Sequence, residues 1–102
     1  MFNSSLDALG TIKQFLLGSH PRTDVERVLL LAYCLDRFYG RSRFVSTDLT
    51  NLNTELGLPR FSNPSFAVRK AKARGLLLQE ESKLVLTPAG SNVVKSLERN
   101  SI

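Results

Sequence analysis

Residues 63–90 read NPSFAVRKAKARGLLLQEESKLVLTPAG, and the residues that start and stop structure in this stretch decide the fold. Asn63 followed by Pro64 is a helix start. The asparagine side chain accepts a first-turn N–H, and proline at the first helical position gives up a donor that would have had no partner. The predicted helix runs to Arg74, with Gly75 as its stop. Leu76-Leu77-Leu78-Gln79 and Leu84-Val85-Leu86-Thr87 then form two short strands around Glu80-Glu81-Ser82-Lys83, a hairpin pattern. Thr87-Pro88 repeats the cap-then-proline device and opens a last helix, from which Val93, Val94 and Leu97 are expected to face the core.

Upstream, Leu58-Pro59-Arg60-Phe61 is a turn, preceded by a helix with Leu49, Leu52 and Leu56 on one face. Ser46 or Thr47 is expected to cap that helix and Gly57 to end it. Arg41 to Val45 leaves room for a turn and a brief strand. Before it, Thr23 or Asp24 caps a helix from Val25 to about Tyr39, closed by Gly40. Its apolar residues cover most of its circumference, which marks a central helix packed on several sides. Leu6, Leu9, Ile12 or Lys13, and Leu16 recur at helical spacing, so residues 3–17 read as a further helix ended by Gly18-Ser19-His20-Pro21. The chain thus divides into an N-terminal helix and linker, 1–22, and a domain, 23–102. Leu29, Ala32, Leu49, Leu52, Val68, Leu77 and Leu86 are expected to share one core.

A length of 102 residues fits one domain, and 42% hydrophobic with 23% charged residues is ordinary for a soluble globular chain. No apolar run approaches the roughly 18–20 residues of a membrane helix. The start carries no basic region followed by an apolar stretch, so a cytoplasmic location is expected. One cysteine, Cys34, and one histidine, His20, make no zinc site alone. Cys34 lies in an apolar run and reads as a small buried hydrophobe. Paired carboxylates, a nucleophile–base pair and a glycine-rich phosphate loop are all missing from the sequence, so neither an enzyme nor a cofactor is expected.

The net charge of +5 is concentrated. Residues 41–75 hold seven bases (Arg41, Arg43, Arg60, Arg69, Lys70, Lys72, Arg74) against Asp48 and Glu55, while the flanking thirds each sum to zero. Such a field attracts polyanions, nucleic acid above all.

Over Thr23 to Leu97 the chain resembles the winged helix-turn-helix superfamily. The resemblance rests on Val25 to Tyr33, Phe44, Ser62-Asn63-Pro64-Ser65, Val68, Gly75-Leu76-Leu77 and Leu86-Thr87-Pro88-Ala89-Gly90. It implies a mainly α fold with a small β-hairpin, a winged helix-turn-helix with an extra N-terminal helix. It further implies a DNA-binding module, a transcriptional regulator or the DNA-binding part of a larger assembly. Helix 63–74 would enter the major groove of double-stranded DNA as the recognition helix.

The residues suit that role. Ala67, Val68 and Ala71 form an inward stripe, which leaves Ser65, Phe66, Arg69, Lys70, Lys72 and Ala73 outward. Arg69 is the candidate base reader, because guanidinium pairs bidentately with guanine. Ser62, Asn63 and Ser65 serve as caps or reach phosphate and base edges; Arg60, Lys70 and Lys72 suit phosphates, and Arg43 and Lys83 complete the set. Phe66 is expected in the core, with contact to a thymine methyl as the other reading. Arg74 complements the helix dipole.

The hairpin tip departs from this pattern, because Glu80 and Glu81 repel phosphate. The alternative function is therefore a winged-helix protein–protein interaction module in a larger complex. Leu6, Leu9 and Leu16 either pack on their own domain or join two copies as a homodimer.

Overall fold

Thr23 opens the longest helix: its hydroxyl accepts the Glu26 N–H at 3.1 Å. Helix α1 (Asp24–Tyr39) then runs to Gly40, whose left-handed backbone closes it. A computed structural model describes residues 12–15 and 21–99. Val25, Val28 through Ala32, Cys34 and Leu35 of α1 are all buried, as an all-round apolar helix requires. Around it lie β1 (Arg43–Phe44), α2 (Ser46–Glu55), α3 (Pro64–Ala73), β2 (Leu77–Glu80), β3 (Lys83–Leu86) and α4 (Pro88–Arg99). Helices α2, α3 and α4 and strands β1 and β3 all pack on α1. The fold is mainly helical with one small antiparallel sheet.

The sheet has three strands in the order β1-β3-β2, so the brief strand before α2 joins the hairpin. Phe44 pairs with Leu84 and Arg43 with Val85. Alternation turns Phe44, Leu84 and Leu77 inward and leaves Arg43, Val85 and Leu78 on the outer face. Glu80 pairs directly with Lys83, so the turn is only Glu81-Ser82, shorter than the four-residue loop expected.

Six of the seven residues expected in the core are buried in it, and Leu86 packs half-buried against it. Ile12 is fully buried in the same core. Phe15 stacks on Tyr33 with ring centres 5.6 Å apart and meets Phe38 edge-on at 6.2 Å. Leu6, Leu9 and Leu16 lie outside the described residues, but Ile12 of the same predicted stripe packs on its own chain. No described helix is long and apolar enough to cross a membrane.

The cap of α2 differs from expectation. Helix α2 starts at Ser46, with extended Val45 as its cap residue, and the Asp48 carboxylate reaches back to accept the Val45 N–H at 3.0 Å. Asp48, three residues after Val45, closes the first turn around Val45, so Ser46 and Thr47 both fall inside the helix and neither caps it.

Cys34 is buried as expected, and burial pushes its thiol from 9.0 up to about 12. The folded state therefore keeps a proton that the unfolded chain loses near pH 9. The associated stability is complete below about pH 9 and is lost as pH rises toward 12. Urea midpoints should fall across that window, and Cys34→Ala should flatten the decline. An equally steep decline in the variant would assign it to other groups, such as Tyr39, whose hydroxyl is raised by burial and by Glu55.

Candidate nucleic-acid interface

Helix α3 is set at both ends by its own sequence. The Asn63 side chain accepts the Phe66 N–H at 3.0 Å, and Pro64 takes the first helical position. At the far end Gly75 N–H reaches the Lys72 carbonyl (3.0 Å) and Leu76 N–H reaches Ala71 (2.9 Å), a paired closure that needs the left-handed Gly75, φ 73°. Ala67, Val68 and Ala71 are buried, and the two alanines let the helix backbone approach α1 closely.

The opposite face is open. Ser65, Phe66, Arg69, Lys70, Ala73 and Arg74 are exposed, as are Arg60, Ser62 and Asn63 just ahead of the helix. None of the cations Arg60, Arg69, Lys70 and Arg74 pairs with an acid among the described residues. Their charge is left to solvent.

Phe66 is not in the core; it is 53% exposed. The inward stripe is filled by residues 67, 68 and 71, and residue 66 falls across the helix from it, at least about 100° away from each. The Lys70 ammonium lies 5.6 Å from its ring centre.

Three of the residues expected at the interface have other partners or another location. Lys72 is half-buried and donates to the Gln79 amide oxygen at 2.7 Å, tying α3 to the hairpin. It lines a cleft with Ser46, Thr47, Gln79 and Ser82. Arg43 pairs with Glu80 at 3.1 Å. Sheet alternation puts the exposed Lys83 on that same outer face of the sheet. The remaining six, Arg60, Ser62, Asn63, Ser65, Arg69 and Lys70, gather on α3 and its entry.

Arg27, which the sequence reading counted only as balanced charge, holds the turn into α3 from behind. Its side chain is 12% exposed and pairs with Asp24 at 3.1 Å. Nη1 donates to the Pro59 carbonyl and, at 3.4 Å, to Asn53 Oδ1. The guanidinium also covers the Phe61 ring at 4.4 Å. Asn53, 4% exposed, donates to the same Pro59 carbonyl at 3.0 Å. A charge embedded between Val25 and Val28 in the apolar helix was the signal for such a role.

Thr87 joins the two ends of the hairpin. Its hydroxyl donates to the Gly75 carbonyl (2.7 Å) and accepts the Gly90 N–H (3.1 Å). The described residues include no group of three or more His, Cys, Asp or Glu able to hold a metal. Compared with known proteins, the chain matches no family model, no curated protein and no solved structure, so its own surface chemistry is the ground for function.

Proposed function

We propose that the chain is a winged-helix module that binds double-stranded DNA, as a transcriptional regulator or the DNA-binding part of a larger assembly, with α3 as its recognition helix. The observation that carries this reading is the open face of α3. Across residues 60–75 there are five bases and no acid, and four of those bases are unpaired among the described residues. A helix of ten residues is about 15 Å long, enough to lie across a major groove about 12 Å wide. Ser62, Asn63 and Ser65 stand at the end that would approach base edges. Arg69 follows one turn later as the base reader, with Arg60, Lys70 and Arg74 against phosphates.

Titration against random duplex at two salt concentrations tests the reading. Affinity should fall steeply with salt, as phosphate neutralisation requires. Arg69→Ala should cost about 1–3 kcal/mol on a preferred sequence and relax choice at one base pair. Lys70→Ala should instead weaken all duplexes alike and reduce the salt slope by about one. If wild-type binding at low salt is no tighter than about 10⁻⁴ M, the DNA reading fails.

The second reading, a protein-interaction module, is favoured by the outer face of the sheet. Leu78 is 52% exposed there beside Val85, and Glu81 at the tip repels phosphate. That reading takes over if duplex binding is absent.

A further inference from the structure

We infer that Phe66 selects thymine, by packing its ring against the 5-methyl group that thymine presents in the major groove. The inference rests on the DNA reading and adds a base preference to it. Phe66 and Leu78 are the two large hydrophobic residues exposed among those described, and only Phe66 lies on the cationic face. It occupies the first turn of α3, the part of a recognition helix that comes closest to base edges. Arg69 and Lys70 follow it by three and four residues, on the same face.

A phenyl ring offers no hydrogen bond to a base edge. The apolar group a major groove presents is the thymine methyl, and phenylalanine is among the side chains that contact it. The surroundings choose the partner: an apolar protein surface would have to bury Arg69 and Lys70 along with the ring, whereas a duplex neutralises both. Lys70 also lies against the ring, 5.6 Å from its centre. That contact limits the ring's freedom before binding and lowers the cost of ordering it in the complex.

The test uses the full chain and a preferred duplex selected from a random-sequence pool. The duplex is resynthesised with deoxyuridine replacing each thymidine in turn, which preserves pairing and removes only the methyl. Wild-type affinity should fall about fourfold at one or two positions, the effect of one buried methyl-sized group. Phe66→Ala, shown folded by circular dichroism, should bind the thymine and uracil duplexes alike, and Phe66→Leu should keep part of the discrimination. Wild-type binding indifferent to uracil at every position overturns the inference and leaves the DNA reading standing; a ring inserted between bases would give that result. A selected site without thymine, or discrimination that persists in Phe66→Ala, overturns it equally. Failure to bind any duplex removes both readings.

Discussion

Gly90→Ala should destabilise the fold by about 3 kcal/mol or more, the upper end for overpacking a close-packed site. A methyl at this position would press into the Leu76 carbonyl oxygen, far inside contact distance, and would lie 2.7 Å from Leu86 Cδ1. The leucine side chain can rotate aside, but the carbonyl is held. Leu76 O accepts the Thr87 N–H at 3.2 Å, and the adjacent Gly75 carbonyl accepts the Thr87 hydroxyl at 2.7 Å. Relief therefore means moving α4 off the base of the hairpin or breaking the bonds that close it. Alanine's better helix propensity returns at most about 1 kcal/mol, too little to compensate. Against a total stability of about 5–15 kcal/mol the loss is large. The melting temperature should drop by about 12–24 °C at roughly 4–8 °C per kcal/mol. A melt within a few degrees of wild type would show that α4 is free to shift at its first turn.

The Leu-Thr-x-x-Gly pattern illustrates how far the sequence could be read. Its spacing was visible, and Thr87 was legible as a cap, because a capping bond closes within three residues. The reason for Gly90 was not legible, since it lies in a carbonyl fourteen positions earlier that only the folded hairpin brings close. The same division runs through the rest of the chain. Asn63-Pro64, Thr23, Gly40, Gly57 and Gly75 punctuated the helices correctly, because each acts on backbone groups a few residues away.

The cap of α2 falls one residue earlier than the hydroxyl residues suggest, because the Asp48 carboxylate, not a serine or threonine hydroxyl, closes the first turn on the Val45 N–H. Phe66 was misplaced because hydrophobicity alone favours the core, while Ala67, Val68 and Ala71 already fill α3's inner face. At the candidate site, the cationic segment was plain from composition. Which cations stay open was not, because Lys72 is taken by Gln79 and Arg43 by Glu80 through contacts made only across the sheet.

Arg27→Ala should cost about 2–4 kcal/mol, and under the proposed DNA-binding function it should weaken duplex binding although its guanidinium is engaged by Asp24, Pro59, Asn53 and Phe61. The stability loss combines four contacts of different worth, the bond to Asn53 being a long one at 3.4 Å. The charged bond to the Pro59 carbonyl contributes about 1.5–3 kcal/mol. The cover over Phe61 adds about 0.5–1 kcal/mol. The Asp24 pair adds little, because Asp24 is 34% exposed and solvent screens it.

Asn53→Ala should cost about 1–3 kcal/mol, since it removes a buried amide that bonds both Arg27 and Pro59. Arg27 and Asn53 share one acceptor, so either can hold the Pro59 carbonyl in part when the other is gone. That redundancy makes the double variant lose more than the two single losses added together, by about 0.5–1 kcal/mol, less whatever the direct 3.4 Å Arg27–Asn53 bond contributes, since each single variant already removes it. Urea unfolding of the four proteins measures this coupling, and additivity within a few tenths would show that the two side chains do not act on the turn jointly. The functional consequence follows from position: Pro59 lies four residues before Asn63, the cap of α3, and the segment between them carries Arg60 and Ser62. With the turn loosened, α3's first turn must be ordered on binding, and affinity should fall without any change in salt slope, because no phosphate contact is lost. A reduced slope in Arg27→Ala would instead place its guanidinium on the DNA.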